Sequence, residues 1–220
     1  MPFDAGDGID DQPAAHRQPV QGGAQVLAID RAQALQVLGI GHLISHYSQL
    51  LLAPLFPWLK DDFGASYAEL GFLMTVFFVV SCGTQAAAGF LVDRYGPRPI
   101  LFAGLALIGL AAFTFAGSGS YAMLAVGAVI AGTGNGVFHP VDFTILNRKV
   151  SAPRLGHAYS VHGLTGNLGW ALAPALLVPV AVATSWRTAL AVAGGFVLSV
   201  LVLLWIKRDR LHLPPLPAHA

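Results

Sequence analysis

The sequence predicts an all-α membrane protein, built as a bundle of six transmembrane helices. Hydrophobic residues make up 55% of the chain and charged residues only 10%, whereas soluble domains carry roughly 25% charged residues. The mean hydropathy of +0.64 agrees with this bias. Long segments without Asp, Glu, Lys or Arg recur along the chain, and a helix needs ~20 apolar residues to cross the bilayer. The composition therefore excludes a water-soluble domain.

The chain divides into three predicted parts. Residues 1–31 are polar and acidic, and we expect a disordered cytoplasmic leader there. Residues 32–206 form the six-helix bundle, and residues 207–220 form a cytoplasmic tail. Within the bundle, a Gly-Ser turn at 117–120 splits a long uncharged segment into two helices. The predicted spans are 32–59, 70–92, two within 99–141, 155–182 and 188–206.

The twelve Lys and Arg residues sort to one side of this topology. Lys60 and Arg187 fall on one face, and the remaining positions fall on the other: Arg17, Arg31, Arg94, Arg98, Arg148, Lys149, Arg154, Lys207, Arg208 and Arg210. Because cytoplasmic loops carry the excess of positive charge, we expect both termini in the cytoplasm. No basic run with interleaved aromatic residues indicates nucleic-acid binding.

The loop after the second predicted helix carries a motif made of five residues, Gly89, Asp93, Arg94, Gly96 and Arg98. It resembles the signature loop of the major facilitator superfamily, with a Pro in place of one basic residue. Gly89 would allow close approach of a neighbouring helix, and Gly96 would allow a turn with positive φ. The resemblance implies that this loop latches the two halves of a transporter in one conformation.

Three further segments resemble the fosmidomycin-resistance branch of that superfamily. They are Gly41-His42-Leu43 with Gln49, Gly132 to Pro140 with its Phe-His-Pro triplet, and Gly156-His157-Ala158 followed by Gly166 to Gly169. The branch comprises bacterial drug exporters driven by the proton gradient, so the resemblance implies a multi-pass protein of the bacterial inner membrane. His46 and Val141 differ from the branch, which has acidic residues at these places.

Ionisable and amide side chains inside the predicted spans are candidates for a substrate or proton pathway, because such groups are costly in the bilayer. We expect His139 and Asp142 to form a cytoplasm-facing pair, and His42 and His46 to contact substrate or proton. The alternative is that each histidine only bonds to a neighbouring helix. The candidate pathway residues are His42, His46, Gln49, His139, Asp142, His162 and Asn167.

Pro140 removes the backbone hydrogen bond to Gly136, and this predicts a kink in the fourth helix. The alternative function of Gly132 and Gly136, spaced four apart, is close helix packing. Gly163, Gly166 and Gly169 of the fifth helix are predicted to serve packing.

The resemblance covers only the first six helices of a twelve-helix fold. We therefore expect a secondary active transporter, or its N-terminal half, that moves a small molecule together with a second six-helix half or a second copy. A truncated or non-transporting membrane subunit is an alternative. So is a haem protein using His42 with His139 or His162. The sequence predicts no catalytic residue and no cofactor, and His42 with His46 are too few ligands to predict a metal site.

Overall fold

A computed structural model describes the backbone of residues 21–213 and the side chains of residues 32–213. Helices dominate this range, and it contains no β-strand. Short 3₁₀ turns precede α2 and α7 and follow α8. The helices are α1 (Gln21–Gln49), α2 (Phe56–Phe63), α3 (Tyr67–Tyr95), α4 (Pro97–Ala116), α5 (Tyr121–Gly136), α6 (Phe138–Lys149), α7 (Leu155–Ala183) and α8 (Trp186–Ile206).

Serine N-caps begin three of these helices. The side chains of Ser66, Ser120 and Ser185 each accept a hydrogen bond from the backbone N–H three residues later. Each cap satisfies one of the four amide groups that a helix N-terminus leaves without a partner. The turn predicted at 117–120 is confirmed, because α4 ends at Ala116 and α5 begins at Tyr121.

Five helical segments of the described chain are long and apolar enough to cross a membrane: Tyr67–Tyr95, Pro97–Ala116, Tyr121–Lys149, Ala152–Ala183 and Trp186–Ile206. Helix α1 is a further long helix, and residues 32–49 of it carry no formal charge. The all-helical membrane fold is confirmed, and the count of six spans stays a prediction.

The first predicted span, 32–59, differs from the structure at its end. Helix α1 stops at Gln49, and the chain continues through a 3₁₀ turn, Ala53–Leu55, into the short helix α2. Pro54 and Pro57 cause this division, since each occupies a first-turn position of the new element. At the other end α1 begins at Gln21, so it extends into the segment predicted as leader. Residues 1–20 and 214–220, the rest of the predicted leader and tail, lie outside the described residues.

Glycine determines how closely α5 packs against α3. A Cβ atom at Gly132 would lie 2.5 Å from the carbonyl oxygen of Phe77, and one at Gly136 would lie 2.5 Å from that of Ser81. Only a residue without a side chain allows two backbones to approach this closely. The predicted packing function of Gly132 and Gly136 is therefore confirmed.

Glycines of α7 fit the same expectation at two of three positions. A Cβ atom at Gly166 would overlap the ring of His46, and one at Gly169 would overlap the carbonyl oxygen of Leu43. These two glycines bring α7 against α1. No atom lies within 4 Å of a Cβ built at Gly163, so the packing prediction for Gly163 is wrong within this chain.

Polar contacts join the elements at each end of the bundle. At one end, which we call the Asp62 end, Trp186 Nε1 donates to Asp62 Oδ2 at 2.8 Å, and Arg187 donates to the carbonyl oxygen of Ser118 at 2.5 Å. At the opposite end, the Lys149 end, Lys149 Nζ donates to the carbonyl oxygen of Arg210 at 2.6 Å. The Asp62 end also holds Lys60 and Arg187. These are the two basic residues that the sequence analysis placed on the face opposite to the other Lys and Arg residues.

Candidate functional site

Four histidines and one aspartate from α1, α6 and α7 meet in the middle of the bundle. We call this the histidine cluster: His42, His46, His139, Asp142 and His162. Asp142 is 0% exposed, His42 2% and His162 7%, whereas His46 and His139 are half-buried. All five were predicted as pathway residues from the sequence.

The carboxylate of Asp142 lies between two histidines from other helices. His42 Nδ1 and Asp142 Oδ2 are 3.0 Å apart and hydrogen-bonded. His162 Nε2 lies 3.4 Å from the same oxygen. The predicted pairing of His139 with Asp142 stays a prediction: the two residues interact electrostatically, whereas the close contacts of the carboxylate are with His42 of α1 and His162 of α7. One buried acid thereby joins three helices that are distant in sequence.

The imidazole rings of the cluster pack on one another. The ring centroids of His42 and His162 are 3.5 Å apart in a stacked arrangement, and those of His42 and His46 are 4.5 Å apart. His139 lies 5.5 Å from His42, edge to face. Stacked rings of His42 and His162 leave no space for a porphyrin between them, so this geometry argues against haem bound by that pair.

Several polar atoms of the cluster are buried without a hydrogen-bond partner. They are both ring nitrogens of His46, Nδ1 of His139, Oδ1 of Asp142 and Nε2 of His162. Buried polar atoms in folded proteins nearly always have a partner, and each exception requires an explanation. The cluster therefore has unused capacity for a proton, an ion or a polar ligand.

A break in the helix lies directly beside the cluster. Helix α5 ends at Gly136 and α6 begins at Phe138, so Val137 separates two helical segments of one span. Pro140 cannot donate to the carbonyl oxygen of Gly136, which explains the interruption between these two residues. His139 and Asp142 consequently lie in the first turns of a new helix.

The two remaining predicted pathway residues lie apart from the cluster. Gln49 Oε1 accepts a hydrogen bond from Trp170 Nε1 at 2.9 Å, which joins the end of α1 to α7. Trp170 was not predicted, although its ring also lies 4.5 Å from that of His46. Asn167 is exposed on α7.

Asn135 is a further polar residue that the sequence analysis missed. Its amide nitrogen donates to the carbonyl oxygen of Ser45 at 2.8 Å and to the hydroxyl of Ser48 at 3.3 Å. Its amide oxygen accepts from Ser81 at 2.9 Å. Asn135 therefore joins α5 to both α1 and α3, and an amide within a glycine-rich apolar run was the signal available for it.

Replacing Asn135 by Leu should lower the free energy of unfolding by about 1–2 kcal/mol, because interhelical hydrogen bonds in membranes contribute about 0.6 kcal/mol each. Denaturation of the detergent-solubilised protein, followed by circular dichroism, measures this change. Thr133→Val is the control, since the Thr133 hydroxyl bonds only within its own helix, to Val129. Equal stability of both variants would contradict a bridging function for Asn135.

The predicted latch residues surround the α3–α4 junction. Gly96 has φ +82°, so the expected turn with positive φ is confirmed. Pro97 follows it as the first residue of α4. A backbone N–H at this position would make no hydrogen bond within the helix, so proline is tolerated there. Asp93 and Arg94 are exposed in the last turn of α3, and Arg98 is half-buried. No atom approaches within 4 Å of a Cβ at Gly89, so its close contact does not occur within this chain.

The sequence profile of the Major Facilitator Superfamily matches residues 38–219, which is most of the chain. The chain belongs to the Major Facilitator Superfamily. Similarity to a curated protein supports this: the fosmidomycin resistance protein of Escherichia coli is 30% identical over 169 residues, which cover 72% of this chain. The fosmidomycin-resistance resemblance found in the sequence agrees with this similarity.

Two other comparisons place this superfamily member among its relatives. A membrane sensor protein of Escherichia coli is 25% identical over 189 residues, covering 86% of this chain and 43% of the sensor. The crystal structure of a peptide transporter superimposes with a TM-score of 0.69 at 19% identity, over 80% of this chain and 37% of the transporter. That likeness concerns the fold alone. The chain spans 39% of the fosmidomycin resistance protein, less than half its length.

Proposed function

We propose that this chain is the N-terminal six-helix half of a secondary active transporter that moves a small molecule across the cell membrane. The histidine cluster is the observation that carries the proposal. Ionisable side chains within membrane helices are expensive and mark substrate or proton pathways. Here five such residues from three helices of a Major Facilitator Superfamily fold lie together, beside a break in the helix. The backbone of Val137 stays in the right-handed helical region (φ −83°, ψ −16°), so the helix is loosened at this residue and not unwound. Discontinuous helices border binding sites in secondary transporters, and a loosened turn beside the cluster is a milder form of that feature.

A second six-helix half is the proposed partner. Gln85 in α3 and Asn167 in α7 are exposed in the middle of their helices, where lipid contact would leave amide groups without partners. Gly89 lies one turn from Gln85, and Gly163 lies one turn from Asn167. Both glycines have open space beside them. These faces fit close packing of further helices, and the curated relatives are long enough to supply them.

The latch proposal depends on the same partner. Asp93 and Arg94 are exposed at the end of α3, beside the tight turn at Gly96. In this position they are free to reach a charged or helix-terminal group of the second half in one conformation and to release it in another. The reversible contact would then be formed and broken at the cytoplasmic edge.

The finer proposal is proton-coupled drug efflux. Histidine is the side chain whose unperturbed pKa allows protonation changes near neutral pH, and the cluster combines four histidines with a buried acid. The similarity to the fosmidomycin resistance protein suggests a drug as the transported molecule. Proton binding at the cluster would be coupled to substrate movement if both shift the same equilibrium between conformations.

We further propose that the protein lies in the bacterial inner membrane with the Lys149 end in the cytoplasm. Cysteines introduced by Arg98→Cys and Arg148→Cys, each in a Cys82→Ser background, should react only with a reagent that crosses the membrane. Cysteine at Gly119, in the exposed α4–α5 turn, should react with an impermeant reagent added outside. Labelling of positions 98 and 148 from opposite faces would overturn the topology.

Flux measurements test the transport function. Proteoliposomes would contain the full chain alone, or the full chain with the remaining segment of the Escherichia coli fosmidomycin resistance protein. Labelled fosmidomycin serves as the probe under an imposed pH gradient. We expect gradient-dependent flux only with both parts present. Flux from the chain alone would identify a second copy as the partner.

A non-transporting membrane subunit is the second candidate, and the similarity to a membrane sensor protein favours it. It predicts no flux in either preparation, together with saturable binding of a small molecule to the full chain. The flux assay and a binding assay on the same preparation therefore separate the two functions.

A further inference from the structure

Three histidines of the cluster have the arrangement of a metal-binding group. Each of His42, His139 and His162 offers one ring nitrogen, and these atoms all lie within 4.8 Å of one another. In tetrahedral coordination with Zn–N bonds of ~2.0–2.1 Å, the nitrogens are about 3.3 Å apart. Closing this difference requires rotation of the imidazole rings about their side-chain bonds, including the stacked rings of His42 and His162. The three ligands come from α1, α6 and α7, so their convergence is a property of the tertiary structure.

Asp142 supplies the outer contact that metal-bound histidines require. Its Oδ2 bonds to Nδ1 of His42 at 3.0 Å, which leaves Nε2 of that ring as the free lone pair. Metal-ligating histidines usually donate their second nitrogen to a carboxylate or carbonyl in this way, and the contact sets the tautomer and the ring orientation. The bond between Asp142 and His42 thus prepares His42 as a ligand.

Ring nitrogens without a hydrogen bond are a second observation. Nδ1 of His139 is buried and has no hydrogen bond, and Nε2 of His162 is buried with only the 3.4 Å contact to Asp142 Oδ2. The His162 side chain is 7% exposed and Asp142 is 0% exposed. A bound cation would satisfy buried ring nitrogens that have no hydrogen bond.

A path leads to this group from the Lys149 end. A cavity of about 80 Å³ lies between α1, α6 and α7, and its lining includes Leu146, His157 and His162. That volume corresponds to roughly two water molecules, since one water occupies about 30 Å³ in the liquid. His157 in this lining is exposed and His162 is buried, so the cavity connects the surface of the bundle with one residue of the group.

We propose that a divalent transition-metal ion binds between α1, α6 and α7, held by His42, His139 and His162, with Asp142 orienting His42. Imidazole nitrogen suits Zn²⁺, Cu²⁺ and Ni²⁺, whereas Mg²⁺ and Ca²⁺ require oxygen ligands. A three-histidine set leaves a fourth coordination position for water or for a ligand atom. The ion would also join α1 to α6 and α7. This inference goes beyond the proposed transport function and does not depend on it.

Equilibrium binding to the purified chain tests this site. The full chain would carry an affinity tag without histidine and would be titrated in detergent with Zn²⁺ by calorimetry and with Co²⁺ by visible absorption. We expect one ion per chain and visible Co²⁺ bands of tetrahedral type. His139→Ala and His162→Ala should each weaken binding at least about tenfold, and Asp142→Asn by about 10–100-fold, the usual loss for an outer contact.

His212→Ala is the matched control, because His212 is an exposed histidine outside the cluster. The Zn²⁺ affinity of this variant should equal that of the unmodified chain. Circular dichroism identifies any variant that fails to fold, and the half-buried His139 gives a variant with little packing to lose. Absence of saturable Zn²⁺ binding overturns the proposal. Binding of the same affinity in His139→Ala and Asp142→Asn also overturns it.

Discussion

Replacing Asp142 by Asn should reduce gradient-driven flux by on the order of 100-fold, the smallest loss usual when a positioned proton-transferring group is removed. Asn keeps the shape of the side chain and one acceptor oxygen for His42, but it cannot bind and release a proton. Asp142 is fully buried and contacts two histidines from other helices. The carboxylate is therefore in position to exchange a proton with both of these histidines. Flux under a pH gradient measures the effect, in proteoliposomes that contain the full chain together with the second half.

Asp61→Asn is the control for this prediction. It makes the same chemical change at a carboxylate with 81% of its side chain exposed at the Asp62 end of the bundle. We expect its flux to equal that of the unmodified protein. If Asp142→Asn folds normally and retains gradient-dependent flux, the carboxylate lies outside the proton pathway, and the coupling proposal fails.

Replacing Gly136 by Leu should lower the free energy of unfolding by about 3 kcal/mol, at the upper end for overpacked interiors. Its first side-chain atom alone would lie 2.5 Å from the carbonyl oxygen of Ser81 and 2.6 Å from Cβ of Thr84. These atoms belong to α3, including its backbone, so relief requires α3 and α5 to separate. Separation of the two helices would also break the hydrogen bond between Ser81 of α3 and Asn135 of α5. Denaturant titration in detergent measures the change.

Gly163→Leu provides the comparison, because no atom lies within 4 Å of a Cβ at Gly163. In the isolated chain we expect it to be neutral or slightly stabilising, since Gly in a helix is unfavourable by roughly 0.5–1 kcal/mol relative to Ala. Similar losses at both positions would show that the cost of Gly136→Leu arises from helix propensity or solubilisation and not from contact with α3.

The members of the histidine cluster were predictable one by one. An ionisable residue inside an uncharged apolar segment is rare, so His42, His139, Asp142 and His162 were evident without any structure. Their mutual contacts were not predictable. Helical spacing placed His139 and Asp142 one turn apart, and this suggested a pair within one helix. The structure adds close contacts of Asp142 with α1 and α7, which helical spacing does not show.

Residues that join two helices through uncharged groups were harder to find. Asn135 lies among glycines that already had a packing explanation, and Trp170 is one of several aromatic residues in apolar segments. Their importance depends on the hydrogen-bond partners Ser45 and Gln49, which lie far away in the sequence. The local sequence of α5 or α7 does not determine how each helix is rotated about its own axis, and this rotation brings Asn135 and Trp170 to their partners.

The sequence by itself determined that this protein is a membrane helix bundle, where most helices begin and end, and which ionisable groups lie within them. These properties follow from apolar length, charge placement and local turn chemistry, all of which act over a few residues. Only the tertiary structure decided that Asp142 pairs with His42 and His162, and that ring nitrogens of three histidines converge within 4.8 Å. Those contacts depend on the rotation and depth of each helix against its neighbours. Close packing at Gly132, Gly136, Gly166 and Gly169 sets that geometry.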